Sequence, residues 1–344
     1  MNQIVTVSIA SYNNAPYIER CIESVLGQTY RNLDILIVDD GSKDDTLERL
    51  EKYKTEEKVR IITKENGGLS SVRQKSLEEA TGDFICFIDA DDYLMPSHVE
   101  SMVKKIVADE SDVCVCSTRF VNADGLDLAK ESLPFKCKDS KTPYISSVLF
   151  LGDVKNALWY RLLLSDSWNK LYRLSSLRKT GVSFKMPKGL NGTDYLFNTL
   201  VAVHGLKYSL TSNEGYVHVI YPSSAVHRKN KKLQTSYQIV IHELIKECES
   251  VGEYDQMKKR ITVEYYSSLM STYNDVLNDA HTYKETKQMF AACNASHKEF
   301  VKNENIELCE INELPTKSLK GFVMCQKYFQ GLLPFYFYLV KELI

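Results

Sequence analysis

Residues 84–94 read Phe84-Ile85-Cys86-Phe87-Ile88-Asp89-Ala90-Asp91-Asp92-Tyr93-Leu94. Five residues suited to a buried strand run into three carboxylates within four positions. Like charges packed this closely repel one another and raise each other's pKa. The run reads either as a solvated turn, where Asp is common, or as a site that awaits positive charge. It lacks the glycine and the terminal Glu of a calcium-binding EF-hand loop. A divalent cation held by one or two carboxylates and by substrate phosphates suits it better, which points to Mg²⁺ or Mn²⁺ and a diphosphate.

The flanking residues give this strand its setting. Ile4–Ala10 is rich in β-branched residues and stops at Ser11-Tyr12-Asn13-Asn14, as a strand does. Tyr17–Leu26 carries apolar residues at 18, 22, 25 and 26, a helical spacing. A second strand, Asp34–Asp39, is followed by the acidic turn Gly41-Ser42-Lys43-Asp44-Asp45-Thr46. Val59–Thr63 is a third. Asn66-Gly67-Gly68 leads to a helix over 70–80, and Pro96 with Ser97 opens another. Strands separated by helices of this length imply βαβ units and a parallel sheet with helices on both faces. Such sheets bind ligands outside the carboxyl ends of their strands. Ser11–Asn14, Asp39-Asp40 and Asp89–Asp92 all fall there. Past residue 113 the alternation weakens: a strand over 112–118, a loop over 124–143, a helix over 144–164 and strands over 208–221. From 229 the pattern is helical and rich in Lys, Glu and Tyr, which sets a domain boundary near 228.

At 344 residues the chain has room for two domains, or for one large α/β domain with an appendage. A formal net charge of −2 gives no global field to recruit nucleic acid. The nine cysteines form no CxxC pair and no zinc spacing, and read as reduced, buried thiols of a cytoplasmic protein. Met1–Ser8 lacks the basic and apolar regions of a signal peptide, and no apolar run reaches 18 residues.

Four further segments carry a family resemblance. Val7-Ser-Ile-Ala-Ser-Tyr-Asn-Asn14, Tyr17-Ile-Glu-Arg-Cys-Ile-Glu-Ser-Val-Leu-Gly-Gln-Thr-Tyr30, Ile37-Val-Asp-Asp-Gly-Ser-Lys-Asp-Asp-Thr46 and Asn66-Gly-Gly-Leu-Ser-Ser-Val-Arg-Gln74 precede Gly82–Tyr93. In this order the chain resembles the family-2 glycosyltransferases of bacterial surface-polysaccharide synthesis, inverting enzymes with the GT-A fold. The resemblance implies an α/β architecture with a mostly parallel, Rossmann-like sheet flanked by helices. Residues 1–228 would form the catalytic domain, with 1–112 binding the nucleotide sugar and 113–228 the acceptor, and 229–344 a helical extension. It implies transfer of one sugar from a UDP-sugar to a hydroxyl of a glycan or lipid-linked acceptor, with Mn²⁺ or Mg²⁺. Asp40 would accept the N3–H of uracil beside Asp39, with Ala10 and Ser11 lining the base pocket. Arg73 would approach the ribose-diphosphate. Asp91 would ligate the metal, with Asp89 nearer the ribose or the metal's waters.

On the acceptor side, Trp168 and Asn169 lie in a segment that resembles the family's acceptor motif. Trp168 reads either as a sugar platform or as a core residue. Asp194 stands where the family places its catalytic base, with Thr193 in place of the usual Glu. His227 falls where some members bind metal or phosphate. Two other classes stay open: a sugar nucleotidyltransferase, against which the missing N-terminal Gly-rich loop argues, and a non-catalytic sugar-nucleotide or glycan-binding module. The aromatic tail from Phe322 to Val340 fits a peripheral contact with the inner face of the membrane or, equally, packing within the chain or a homodimer.

Overall fold

The computed structural model describes residues 2–131, 164–221, 233–255, 258, 261–262, 265–266, 269, 282–304 and 306. Chain contacts divide it into two compact units. The first draws on residues up to 228, without 148–156 and 190–192, and the second on those two segments with 229–344.

The first unit is built on one sheet. Strands β1 (Val5–Ser11), β2 (Leu33–Asp39), β3 (Val59–Thr63) and β4 (Phe84–Asp89) are parallel in the order β3-β2-β1-β4. Helices α1 (Ile18–Leu26), α2 (Thr46–Leu50) and α3 (Leu69–Glu79) make the crossovers, and α4 (His98–Ala108) follows a short β5 (Tyr93–Leu94). Val5, Val7 and Ile9 are buried, and so are Thr6 and Ser8 between them. A strand covered on both faces needs apolar residues nearly throughout, which is why β4 reads as an unbroken apolar run. On α1 the buried residues are Ile18, Cys21, Ile22 and Val25, one face at helical spacing. Burying an Ile or Val side chain of this kind stabilises by about 1.5–3 kcal/mol.

Beyond β4 the sheet changes direction. Strand β8 (Lys170–Arg173) pairs antiparallel with β4 and with β6 (Val113–Asn122). Strand β9 (Tyr208–Ile220) runs parallel to β6 and pairs antiparallel with β5. The expected loop over 124–143 begins instead with strand β7 (Asp127–Glu131), folded back on β6. Its cause is an Asp124-Gly125 turn, with Gly125 at φ 78° and the Asn122 Oδ1 accepting from the Asp124 and Leu126 amides. The strands expected over 208–221 are one long strand. Helices α5 (Leu174–Thr180) and α6 (Thr193–Val203) complete this half. The helix expected over 144–164 lies outside the described residues, except for Leu164.

In the second unit, α7 (Leu233–Ser250) and α8 (Tyr283–Asn303) are described. A capping box starts α8: the Glu285 amide donates to Thr282 Oγ1 at 3.2 Å, and the Thr282 amide donates to Glu285 Oε2 at 3.0 Å. His242 Nδ1 of α7 meets Glu304 Oε2 at 2.6 Å just past the end of α8. Among the described residues the six cysteines are buried and in no disulfide, and no helix is long and apolar enough to cross a membrane. The tail 322–340 lies outside the described residues.

Candidate active site at the strand ends

The loops at the carboxyl ends of β1 and β2 are laced together. The Asn13 amide donates to Ser42 Oγ at 2.9 Å, and the Lys43 amide to Asn13 Oδ1 at 2.7 Å. Asn14 and Ala15 amides donate to Thr46 Oγ1 and Asp44 Oδ2. Asp39 is fully buried and takes both the amide and the hydroxyl of Ser42. Within the turn that reads as acidic, Asp44 therefore spends its carboxylate on the amides of Ala15 and Thr46.

Asp40 builds the next wall. Its Oδ1 accepts from Lys64 Nζ at 2.8 Å and from the Gly67 amide at 2.9 Å, and its Oδ2 accepts from the Gly68 amide at 2.7 Å. Gly68 sits at φ 84°, which glycine tolerates best. A Cβ at Gly67 would come within 2.5 Å of Ser71 Oγ. Two buried hydroxyls beside this wall, Ser11 Oγ and Ser70 Oγ, have no hydrogen-bond partner among the described residues. Tyr12 and Leu69, each next in sequence to one of the residues held near Asp40, are 47% and 43% exposed. Asp40→Ala strips three donors of a buried charged acceptor and is expected to cost about 2–4 kcal/mol. Urea denaturation checks this, and a loss below about 1 kcal/mol would show that the 66–68 turn holds without it.

The acid cluster follows β4. Asp89 Oδ1 accepts from Arg73 Nη2 at 2.8 Å, and Arg73 Nη1 forms an ion pair with Asp194 Oδ1. Arg73 is 1% exposed and its guanidinium lies over the Phe87 ring, 5.8 Å from the centroid. In this arrangement it serves two carboxylates. Asp194 stands in the first turn of α6, and its Oδ2 accepts from the Ser167 amide at 2.9 Å. One arginine thus joins acids 105 positions apart (194 − 89) at a single point.

Asp91 differs from Asp89. Its carboxylate accepts from its own backbone amide but forms no ion pair among the described residues, and burial followed by the charges of Asp92 and Asp89 pushes it up to about 7. A cation would relieve that strain, so this carboxylate fits a metal better than Asp89 does. No group of three or more metal-binding side chains occurs among the described residues. A metal here would complete its shell with ligand oxygens and water.

Asp92 points into the protein. Tyr216 OH donates to its Oδ2 at 2.6 Å, His218 Nδ1 lies 2.9 Å from the same oxygen, and the Val219 amide donates to Oδ1 at 2.8 Å. The third acid of the run therefore fastens the acid loop to β9. Trp168 stacks on Tyr216 (4.6 Å, 26°) and on His218 (5.3 Å, 5°) and is 8% exposed. Its indole packs on these two rings. Asn169 is fully buried, and its Oδ1 accepts from Lys170 Nζ at 2.8 Å. Burial would push His218 down, but the hydrogen bond and charge of Asp92, with Asp89 and Asp91, raise it from 6.5 to about 9. The stability this adds is fully present below about 6.5 and is lost as pH rises through about 9. His218→Gln should therefore lower the melting temperature most near pH 6, with the gap closing above pH 9. A gap that widens with pH would contradict the pairing.

Ala10, Ser11, Asp39, Asp40, Arg73, Asp89, Asp91 and Asp194 gather at one end of the sheet, and His227 lies outside the described residues. Sequence reasoning placed Tyr12 and Asp92 in the strand-end clusters without a role, and missed Arg20, Tyr216 and His218.

Residues 6–180 match the family model described as Glycosyl transferase family 2. EpsH of Bacillus subtilis is 33% identical over 231 residues, 67% of this chain and 64% of that protein. The chondroitin synthase of Pasteurella multocida is 43% identical over 124 residues, 36% of this chain and 13% of that protein. The chain thus spans less than two thirds of these relatives. Crystal structures of Staphylococcus aureus TarS share the fold at 18% identity. One has a TM-score of 0.63 and covers 90% of this chain and 51% of that one. The other, of residues 1–349 with UDP-GlcNAc, has a TM-score of 0.58 and covers 88% and 90%.

Proposed function

The chain belongs to glycosyl transferase family 2 and has the GT-A fold, and on that premise we propose that it transfers one sugar from a UDP-sugar to a hydroxyl of a glycan or lipid-linked acceptor, with inversion. The observation that carries this reading is the Arg73 bridge, which brings the acid at the end of β4 and the acid at the head of α6 to one place. A displacement with inversion needs a leaving-group site and a proton acceptor on opposite sides of one sugar, and these two acids come from the two halves that would supply them.

The nucleoside would lie at the ends of β1 and β2. Three donors fill Asp40, and the one accepting position left on Oδ2 suits a uracil N3–H. Tyr12 offers an exposed ring to the base, and the unpartnered Ser11 hydroxyl offers a hydrogen bond. That TarS was crystallised with UDP-GlcNAc agrees with the choice of base. Asp91 would hold Mn²⁺ or Mg²⁺, with Asp89 beside it. When bound, such an ion neutralises charge on the departing diphosphate. Asp194, oriented by Arg73 and the Ser167 amide, would take the acceptor's proton. Trp168 would act on the acceptor side through the rings it packs.

Nucleoside diphosphate release from a panel of UDP- and GDP-sugars, with an acceptor mixture and either Mn²⁺ or EDTA, tests the reading. Release from a UDP-sugar that needs both metal and acceptor is expected. Pyrophosphate formation from a sugar 1-phosphate and UTP would instead identify a nucleotidyltransferase, and tight binding without turnover a non-catalytic module.

A further inference from the structure

One cation at the site has no part in the scheme above. Arg20 lies on α1 and is exposed. Its Nη2 donates to the main-chain oxygen of Asp91 and, at 3.0 Å, to the Tyr221 hydroxyl. The guanidinium sits over the Tyr93 ring, 5.0 Å from the centroid. Tyr17 and Tyr221 rings lie 4.4 Å apart, and all three tyrosines pack on a small cluster of Val121, Val217 and Val219. A surface arginine ordinarily swings freely. This one is held by two hydrogen bonds and a ring.

What it leaves unused is informative. Three carboxylates stand within a few residues of the oxygen it binds, yet Arg20 forms an ion pair with none of them among the described residues. Its Nε and Nη1 donors likewise have no partner there. A pre-oriented guanidinium is matched in charge to a phosphate, and Nε or Nη1 can each give a phosphate oxygen a charge-assisted hydrogen bond. Because the side chain is already ordered, binding costs little further entropy. The position, beside the backbone of the residue that fits the metal, puts such a phosphate next to that carboxylate.

We infer that Arg20 is a phosphate-binding residue of this site and takes an oxygen of the donor's diphosphate beside Asp91. This rests on the function proposed above and adds a residue to it. A purely structural role, clamping the acid loop to the end of β9 through Tyr221, would leave the same contacts but no preference for phosphate number.

Calorimetric titration of uridine, UMP and UDP with Mn²⁺ into wild type, Arg20→Gln and Arg20→Lys separates the two. Expected is a loss of UDP affinity of about 10–100-fold in Arg20→Gln, with uridine changed by less than about threefold and Arg20→Lys recovering part of the loss. Equal losses for uridine and UDP would reduce Arg20 to a loop clamp, and unchanged UDP affinity would overturn the inference. A loss confined to N-acetylglucosamine 1-phosphate, added after UDP saturation, would move the phosphate to the acceptor and overturn the donor assignment. If wild type binds no nucleotide at all, the proposed function fails and this inference fails with it.

Discussion

Asp91→Ala is expected to lower sugar transfer by about 10³-fold or more while the protein melts at an unchanged or higher temperature. The two halves of this result have one origin. Asp91 is a carboxylate that forms no ion pair among the described residues and accepts from its own backbone amide, pushed up to about 7 by burial and by Asp92 and Asp89. Removing it takes away like-charge repulsion and desolvation, so the fold loses nothing. Transfer, in contrast, loses the contact that neutralises the leaving diphosphate, an effect of several kcal/mol, at one decade per 1.4 kcal/mol. UDP release with Mn²⁺ and a melting curve on the same sample measure both. Wild-type turnover by the variant in EDTA would show that charge on the leaving group is handled elsewhere.

Asp194→Asn is expected to lower kcat by about 10²–10⁴-fold, the range for a lost general base, with donor affinity nearly unchanged. Asn can still accept from the Ser167 amide, so the head of α6 should keep its place. It cannot pair with Arg73, whose charge is buried and would keep only Asp89. Breaking one arm of a buried ion network is destabilising, so a lower melting temperature is expected as well. Stability therefore does not separate a catalytic from a structural Asp194. The rate does: a structural residue would lose stability and donor affinity together and keep kcat. Near-wild-type kcat in Asp194→Asn would move the proton to another group.

The two halves of the sheet were unequally legible in the sequence. Strands β1, β2 and β4 are buried on both faces and end in polar residues, β4 as an unbroken apolar run, and the carboxyl-end rule then located Ser11, Asp40 and Asp89 without coordinates. Strand β8 is only four residues long and carries a buried Lys170, so its composition hid it. Strand β7 hid in the same way, because its turn signal at Asp124-Gly125 follows directly on β6 with no apolar alternation to mark it. The site's charge pattern was legible, but its partners were not. The sequence shows the charge of Arg73 but neither its burial nor its two carboxylate partners. The contacts of Asp92 with Tyr216 and His218 span more than 120 positions, and no local spacing encodes them. Arg20 lies in α1, whose sequence signal is the apolar face of Ile18, Cys21, Ile22 and Val25.

Calorimetric titration of UDP into the full chain, once with Mn²⁺ and once with EDTA, tests the central claim most directly, since it requires only that the strand-end acids and the Asp40 wall form a nucleotide diphosphate site. Saturable one-to-one binding that weakens by at least tenfold in EDTA, and loses its metal dependence in Asp91→Ala, is the predicted result. UDP binding of equal strength with and without metal in wild type, or no binding in either, would contradict the account.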